Sequence, residues 1–251
     1  LDSIFNVNDY LKWLAWEITT GHWDNHSFNK NNFYLYEDPA SGLMHFSSYD
    51  ADNTFGVDWF NINWATRGIT QFGTYPLYTK ISANPEAQRR LGLFLNELGA
   101  LAGTSAWQAR NTNLRAQLAP YVEEDAYRSL DYGYDSLDFW NALTVAAGAH
   151  VKFGIHPFMA TRIASSAIQI PQGNVEPIVF PPRMVGHGAS GRVPIQVEVW
   201  DEAIPSVVLH YQPTGGSWQS LTLLDDGAHH DELAGDRLYG ALLDGVSNGF
   251  S

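Results

Sequence analysis

The sequence contains no cysteine among its 251 residues. This absence excludes disulfide bonds, zinc–thiolate sites and thiol nucleophiles. Charged residues are also few, at 16%, whereas hydrophobic residues reach 45%. Such a composition argues against disorder and coiled coils, and it predicts a folded globular protein of one or two domains.

Basic residues are scarce as well, since Lys and Arg total 14 against 27 Asp and Glu, a formal net charge of −13. Nucleic acids and anionic membranes are polyanions, so neither is an expected partner, whereas cations and metal-chelated nucleotides are. No apolar run approaches the roughly 20 residues that span a bilayer, and we expect no membrane insertion. The chain begins at Leu1 and ends at Ser251 without a natural start or close, so we expect a fragment of a longer protein.

The segment from Leu1 to about Ser166 has helical periodicity with one predicted hairpin. Asn8 and Ser105 are predicted helix caps, and further helical patterns begin at Asn84 and at about Ser136. Gly21 is predicted to end the first helix, and the third of the later helices is expected to weaken before Pro157. The predicted hairpin strands cover residues 33–36 and 44–49.

The pattern changes after Ser166. Proline and glycine become frequent, Gly186 and Gly188 among them, so residues 167–190 are predicted to form a linker. Short β-type runs follow at 193–200, 207–211, 218–224 and 237–243, a spacing typical of part of a sandwich. The predicted fold class is α+β, with a helix-rich domain over 1–166 and a partial all-β sandwich over 191–251.

Two polar loops flank the predicted hairpin. The first holds one carboxylate and several amides, which are Asp24, Asn25, Asn29, Asn31 and Asn32. The second holds Asp50 and Asp52 and runs into Phe55-Gly56. Carboxylate and amide oxygens suit Mg²⁺ or Mn²⁺. Protein kinases place a catalytic aspartate, a metal-binding asparagine, a hairpin and a metal-binding aspartate in this order, so the pattern favours phosphoryl transfer.

Three blocks of sequence carry a resemblance to a known family. They read GHWDN at 21–25, NNFYLY at 31–36 and YDADNTFG at 49–56. In this order they resemble the CotH-type atypical kinases, named for a bacterial spore-coat protein, and the resemblance extends more weakly to about Arg162. It implies a helix-rich, kinase-like C-lobe with one catalytic β-hairpin. It also implies a secreted or cell-surface bacterial protein that transfers the γ-phosphoryl of ATP to Ser or Thr of a protein substrate.

The resemblance also implies roles for individual residues. Asp24 is expected to be the catalytic aspartate, and the expected metal ligands for Mg²⁺ or Mn²⁺ at the ATP phosphates are Asn32, Asp50 and Asp52. The kinase spacing selects Asn29 in place of Asn32, because Asn29 lies five residues after Asp24. We favour Asn32, since it directly precedes the strand. No glycine-rich loop with a strand lysine precedes Asp24, so these residues are expected to be inactive without a nucleotide-binding lobe.

A second acidic cluster lies near the end of the chain. Its carboxylates are Asp225, Asp226, Asp231 and Asp236. The segment resembles one found near the ends of Ig-like sandwich modules in bacterial secreted proteins. Two interpretations stay open: the carboxylates bind Ca²⁺ with a spacing unlike that of an EF-hand, or they accept hydrogen bonds from backbone amides in a turn-rich connection.

Two further function classes fit the same residues. A kinase-shaped protein without catalysis would serve as a structural or adhesive component of a coat or envelope, and it would not bind ATP with a metal ion. A metal-dependent hydrolase built on Asp24, Asp50 and Asp52 would hydrolyse a model ester without ATP. The two rivals therefore differ from the kinase in reactions that can be measured.

Overall fold

The computed structural model describes residues 3–39, 41–127, 130, 133–171, 173–185, 191–213 and 215–244. Its contacts divide the chain into two units, Leu1–Gly173 and Asn174–Ser251. The first unit holds helices and one hairpin, and the second holds strands, which confirms the predicted α+β class. The boundaries predicted at residues 166 and 191 stay predictions. Gly186 and Gly188 of the predicted linker lie outside the described residues.

The elements follow one another in a simple order along the chain. The helices are α1 (Val7–Thr20), α2 (Pro76–Ser82), α3 (Pro85–Ala102), α4 (Ser105–Glu124), α5 (Ser136–Asn141) and α6 (Ile155–Ala167). The strands are β1 (Phe33–Glu37), β2 (Met44–Ser48), β3 (Ile178–Val179), β4 (Arg183–Met184), β5 (Arg192–Trp200), β6 (Val207–Tyr211), β7 (Gln219–Leu223) and β8 (Leu238–Asp244). None of the helices in the described ranges is long and apolar enough to cross a membrane.

Helix α1 is the buried centre of the first unit and packs against α3, β2 and α6. Its apolar stripe is fully buried, with Tyr10, Leu14 and Ile18 at spacings of four. The cap is Asn6, whose side-chain oxygen accepts the N–H of Asp9, so the predicted cap at Asn8 is wrong by two residues. The Asn8 side chain instead accepts a hydrogen bond from Arg90 of α3 at 3.0 Å.

The predicted hairpin is confirmed. Strands β1 and β2 pair antiparallel, and Phe33 lies opposite Ser48. Phe33 also stacks on Phe46 with ring centroids 5.9 Å apart, and Phe46 is buried. In the connecting turn, the Asp38 carboxylate accepts hydrogen bonds from the N–H and the hydroxyl of Ser41. The hairpin therefore holds the two polar loops at one end, beside its first and last residues.

The later helices confirm some predicted starts and correct others. Helix α3 starts beside Asn84 as predicted, and Asn84 is its cap, because its side chain accepts two N–H bonds of the first turn. Helix α4 is capped by Thr104, so the predicted cap at Ser105 is one residue late. Helix α5 begins at Ser136 as predicted but ends at Asn141. Pro157 does not end a helix; it lies in the first turn of α6, where N–H groups have no partner within the helix.

In the second unit, β5 is the central strand. Strand β8 pairs along one edge, and the two short strands β3 and β4 pair in succession along the other. Strands β6 and β7 form a separate hairpin. Both sheets contribute to a common apolar core, whose buried members are Val197, Val199, Leu223 and Ala241. The β-rich prediction is confirmed, whereas the Ig-like identity stays a prediction.

Candidate active site

The first polar loop, residues 21–32, follows α1 directly. Gly21 ends the helix in the left-handed conformation with φ of 69°. A Cβ atom at this position would lie 2.6 Å from the Phe158 ring, so a larger residue does not fit. Helix α1 therefore ends at Gly21, and the chain turns directly into the segment that contains Asp24.

Asn25 holds the first polar loop in shape. It is fully buried, and its amide nitrogen donates to the Glu17 carboxylate at 2.8 Å and to the His22 carbonyl at 2.9 Å. Its side-chain oxygen accepts the N–H of Phe28 at 2.9 Å. Buried polar groups are stable only when they are paired, so these bonds fix the backbone on both sides of Asp24. Sequence analysis noted Asn25 without assigning it this role.

Both asparagine candidates contact Asp24. The Asn29 amide donates to Asp24 Oδ1 at 2.5 Å, and the Asn32 amide donates to Asp24 Oδ2 at 3.0 Å. Asn29 is exposed, whereas Asn32 is half-buried and has a left-handed φ of 53°. Asn32 also accepts the N–H of Tyr49 through its carbonyl, at 3.0 Å. Of the two, Asn32 is therefore the residue that also touches the next loop.

The second polar loop, residues 49–57, is tied by two hydrogen bonds to the first polar loop and by a third to the last residue of α1. The donor and acceptor pairs are Tyr49 N–H to Asn32 O at 3.0 Å, Phe55 N–H to Thr20 O at 2.7 Å, and Trp23 Nε1 to Val57 O at 2.8 Å. Asp50 directly follows Tyr49, and Asp52 lies between Tyr49 and Phe55. The fold therefore brings the loop of Asp50 and Asp52 beside the loop of Asp24.

Strained backbone occurs in this region and again near the end of the chain, at His230, Glu232 and Arg237. Among the described residues, left-handed φ angles at positions other than glycine occur between 30 and 61 at Lys30, Asn32, Asp50, Phe55 and Asn61. Such conformations are unfavourable for residues with a Cβ and persist where the surroundings enforce them, as they do at functional sites. Asp50 is one of these residues, so its direction is imposed by the loop.

His22 lies between the two polar loops and is fully buried. Burial is the largest influence and lowers the pKa of His22, whereas the Asn53 backbone raises it. Three carboxylates also raise it, those of Asp24, Asp52 and Asp50. Because charge effects weaken with distance, these three aspartates lie within electrostatic range of His22.

Glu17 is a buried ionisable residue that sequence analysis missed. Its neighbours on the apolar stripe, Tyr10 and Leu14, are buried as well. One carboxylate oxygen accepts from Asn25, and the other has no hydrogen-bond partner among the described residues. Burial raises the pKa of Glu17 to about 8, while the Ser48 and Asn25 side chains lower it. A carboxylate at an apolar helical spacing is the sequence signal that identifies it.

A cleft of about 440 Å³ opens beside the second polar loop. Its lining includes Trp23, Asp52, Trp59, Tyr134 and His150. The Trp59 and His150 rings stack with centroids 3.6 Å apart, and the His150 ring approaches the Asp58 carbonyl at 3.2 Å. The cleft is therefore aromatic with one acidic edge, and Trp23 connects it to Asp24, the next residue along the chain.

The oxygen donors of the polar loops match a hard divalent cation in type. Asp24 and Asn32 touch, and Asp50 and Asp52 lie on the adjoining loop. Within the described ranges, no three His, Asp or Glu side chains gather closely enough to hold a metal ion. The donor types suit Mg²⁺ or Mn²⁺, and the ligand set of Asn32, Asp50 and Asp52 stays a prediction.

The C-terminal acidic loop, residues 225–237, uses its carboxylates in a different way. Asp231 is fully buried and accepts the backbone N–H groups of Asp226, Gly227 and His229. Asp225 accepts those of Gly235, Asp236 and Arg237. Asp226 and Asp236 accept further N–H bonds within the loop. This geometry supports the turn-rich connection, and the calcium site stays a prediction.

Comparison with known proteins supplies a family for the first unit. The model of the family described as CotH kinase protein matches residues 1–151, which include both polar loops, the hairpin and every residue that lines the cleft. No curated protein matches the chain. The matched segment is more than half of the 251 residues, and it carries the aspartates and asparagines described above. The chain belongs to the CotH kinase protein family.

Proposed function

We propose that the two polar loops form the active site of a protein kinase that transfers the γ-phosphoryl of ATP to Ser or Thr. Membership of the CotH kinase protein family supports kinase-like chemistry. The observation that carries the proposal is the pair of hydrogen bonds from Asn29 and Asn32 to Asp24, beside the loop of Asp50 and Asp52.

Asp24 is the proposed catalytic residue. The acceptor hydroxyl must be oriented and must lose its proton as its oxygen bonds to phosphorus, and the Asp24 carboxylate would accept that proton. The Asn29 and Asn32 amides each donate to one carboxylate oxygen, which fixes the direction of the group. Each oxygen keeps a lone pair for the acceptor hydroxyl.

The proposed metal ligands are Asn32, Asp50 and Asp52. A divalent cation held there would neutralise charge on the phosphate oxygens. The Asp50 and Asp52 carboxylates repel a bare triphosphate, and the chain as a whole carries a formal charge of −13. Nucleotide binding is therefore expected to require the divalent cation.

The cleft beside Asp52 is the proposed position of the acceptor segment. It adjoins Trp23, so a segment held there lies next to Asp24. The stacked Trp59 and His150 rings offer an apolar surface, and Asp52 and Tyr134 offer polar groups. Pockets that combine aromatic surface with polar groups bind and orient ligands. We also propose a secreted or cell-surface setting, which the spore-coat origin of the family name supports.

The proposal is tested with Asp24→Asn and Asp50→Asn, compared with Glu124→Gln. Glu124 is an exposed residue at the end of α4, so its variant loses a carboxylate far from the loops along the chain. Transfer of labelled phosphate from γ-labelled ATP to Ser- and Thr-containing proteins is measured with and without Mg²⁺ or Mn²⁺. We expect about a 10²–10⁴-fold loss in each Asp variant and no loss in the control. The assay is run with the 251-residue chain and with any longer protein that contains it.

Three results would contradict the proposal. Equal transfer by Asp24→Asn, Asp50→Asn and the unchanged protein would remove the assigned roles. Absence of metal-dependent ATP binding would favour the structural coat or envelope component. Hydrolysis of a model ester without ATP would favour the metal-dependent hydrolase.

A further inference from the structure

Glu17 lies where α1 meets both polar loops, and it is completely buried. Its Oε2 atom accepts a hydrogen bond from the Asn25 amide of the first polar loop at 2.8 Å. Its carboxyl group is also close to Ser48, because hydrogen bonding with the Ser48 side chain lowers the pKa of Glu17. Ser48 is the last residue of β2, two residues before Asp50. A single carboxyl group therefore reaches a residue on either side of the candidate active site.

Asn25 connects Glu17 to Asp24, which directly precedes it along the chain. The two hydrogens of the Asn25 amide go to the Glu17 carboxyl and to the His22 carbonyl. Its side-chain oxygen accepts the N–H of Phe28. Without the carboxyl group at position 17, one buried amide hydrogen would lose its acceptor, which is costly. The shape of the loop around Asp24 therefore depends on Glu17 through one side chain.

Ser48 places the second contact of Glu17 at the end of the hairpin. Ser48 lies opposite Phe33, the residue that follows Asn32. The N–H of the next residue, Tyr49, donates to the Asn32 carbonyl at 3.0 Å. The position of Ser48 is therefore linked to the point where the two polar loops meet.

The protonation state of Glu17 decides what it offers to Ser48. Glu17 Oε1 and Ser48 Oγ are both buried, and neither has a further hydrogen-bond partner among the described residues. A carboxylic acid can donate its O–H to the Ser48 hydroxyl, whereas a carboxylate would bring a charge into a site without water. Burial raises the pKa of Glu17 to about 8, so the acid is the main form at neutral pH.

Neighbouring groups do not supply a counter-charge for an ionised Glu17. Tyr10 of α1 lies within electrostatic range, and burial raises its pKa, so it is neutral. Burial also lowers the pKa values of His22 and His26 in the first polar loop, which favours their neutral forms. Helix α1 packs against α3, β2 and α6, and none of the other titratable side chains described there, in α1 or in the loop is among the influences on Glu17. These side chains are Asp9 and Lys12 of α1, Asp24 and Lys30 of the loop, Glu86, Arg89, Arg90 and Glu97 of α3, His45 of β2, and His156 and the buried Arg162 of α6.

We propose that Glu17, as a neutral carboxylic acid, is a positioning residue that holds the two polar loops in their active arrangement by accepting from Asn25 and donating to Ser48. This inference rests on the proposed kinase function and adds the group that sets the geometry of its site. A misplacement of about 1 Å in a reacting group costs about 100-fold in rate. Loss of the neutral acid should therefore slow phosphoryl transfer.

The test compares Glu17→Gln and Glu17→Met with Glu124→Gln, an exposed control on α4. Glutamine keeps an oxygen for Asn25 and offers an N–H to Ser48, so it imitates the neutral acid, whereas methionine has a similar length and makes neither bond. Transfer from γ-labelled ATP to dephosphorylated casein is measured at saturating ATP and Mg²⁺ between pH 7 and 9. The assay uses the 251-residue chain and any longer protein that contains it.

A second measurement does not need phosphoryl transfer. The carboxyl ¹³C signal of Glu17 reports its ionisation in an NMR titration, and the backbone amide signals of Asp24 and Asp50 report the two polar loops. We expect the three signals to change together near pH 8 in the unchanged chain. In Glu17→Gln the two amide signals should not follow this titration.

We expect Glu17→Gln and Glu124→Gln to match the unchanged protein at pH 7, and Glu17→Met to be slower by about tenfold or more. Between pH 7 and 9 the unchanged protein should lose about tenfold in rate relative to Glu17→Gln, because the neutral fraction of Glu17 falls by that factor. Equal pH profiles for these two proteins, or full activity of Glu17→Met, would overturn the proposal. The Glu17→Gln comparison keeps the test valid if Glu17→Met does not fold.

The two measurements separate this inference from the proposed function. Absence of transfer by every protein would contradict the kinase activity, and the NMR titration would then decide the role of Glu17. Amide signals of Asp24 and Asp50 that do not follow the Glu17 carboxyl would overturn the positioning role. Transfer that requires Asp24 but is equal in Glu17→Met and the unchanged protein would overturn the role of Glu17 alone.

Discussion

The polar loops of the first unit and the C-terminal acidic loop of the second contain the same residue types but use their carboxylates differently. Asp231 and Asp225 each accept three backbone N–H bonds. Asp24 and Asp52, in contrast, accept hydrogen bonds from asparagine side chains. A carboxylate that satisfies backbone donors stabilises a turn, whereas one held by side-chain amides keeps lone pairs for a cation or a hydroxyl.

The comparison shows that two acidic clusters of similar composition differ in function because their carboxylates have different hydrogen-bond partners. Aspartates spaced closely among glycines occur in both turns and metal sites. In the C-terminal acidic loop the donors are the loop's own backbone. In the polar loops, the main-chain hydrogen bond that joins Tyr49 to Asn32 does not involve the carboxylates.

The largest effect on stability is expected for Asp231→Asn, which removes a carboxylate that accepts backbone hydrogen bonds in the C-terminal acidic loop. An amide has a single acceptor oxygen for three backbone donors, and its NH₂ group would point at one of them. We expect the second unit to unfold or to lose much of its stability while the first unit is unaffected. The measurement is the urea midpoint of each unit.

The control for this variant is its neighbour Glu232→Gln. Glu232 is exposed, and its carboxylate reaches Arg183 at 3.5 Å, a surface ion pair of little value. The urea midpoint of Glu232→Gln should equal that of the unchanged chain. Equal midpoints for Asp231→Asn and Glu232→Gln would show that the C-terminal acidic loop does not need its carboxylate.

The same carboxylate predicts a pH dependence. Burial alone would raise the pKa of Asp231, but hydrogen bonds from the backbone N–H groups of Gly227, His229 and Asp226 lower it overall. A lowered folded-state pKa stabilises the fold above the unfolded pKa of about 4, and that stabilisation is lost as the pH falls. The second unit should therefore lose stability on acidification, and Asp231→Asn should lack this contribution.

An intermediate effect on stability is expected for Glu17→Gln. Glu17 is a third kind of carboxylate, because it is buried and one of its two oxygens has no hydrogen-bond partner among the described residues. Burial raises the pKa of Glu17 to about 8. Folding then keeps a proton that the unfolded chain releases, so the free energy of unfolding of the first unit should fall between about pH 4.5 and 8. Glu17→Gln retains an oxygen for Asn25 and removes this dependence.

The Glu17 effect is measured as unfolding free energy against pH for both proteins. At pH 8 the variant should be the more stable by a few kcal/mol, whereas near pH 4 the two should agree, because Glu17 is then protonated in both states. Parallel pH curves for the two proteins would contradict the assignment of a neutral Glu17.

The smallest expected effect is on the rate of phosphoryl transfer, and it compares the two asparagines that donate to Asp24. Asn32 also lies at the junction with the second polar loop, whereas Asn29 is exposed. We expect Asn32→Ala to lower metal-dependent transfer by about tenfold or more and Asn29→Ala by less than about threefold. The comparison uses the rate at saturating metal and ATP. A larger loss in Asn29→Ala would assign the metal-binding role to the residue selected by kinase spacing.

Local signals in the sequence were sufficient for the elements that hold the site. The helix end at Gly21, the hairpin turn at Asp38 and the start of α3 beside Asn84 are where the sequence predicted them, because each depends on neighbouring residues. The caps at Asn6 and Thr104 were misplaced by one or two residues, since several polar residues adjoin each helix start. The two-residue strands of the second unit have no periodicity to detect.

The candidate site was partly predictable, because its residues occur in local sequence motifs. The order of Asp24, Asn32 and Asp50 indicated a kinase-like arrangement, and the loops do adjoin. The cleft could not be predicted, because Tyr134 and His150 reach it from segments more than 80 residues further along the chain than Asp52. The buried Arg162 was equally hidden, since its burial depends on tertiary packing.

The most direct test of the account is the position of a bound divalent cation. Mn²⁺ broadens the NMR signals of nearby nuclei, and it is added to the chain together with a non-hydrolysable ATP analogue. The account predicts broadening at residues 24, 32, 50 and 52, its loss in Asp50→Asn, and unchanged signals at 225–237. Broadening confined to the C-terminal acidic loop, or broadening at the polar loops that persists in Asp50→Asn, would contradict it.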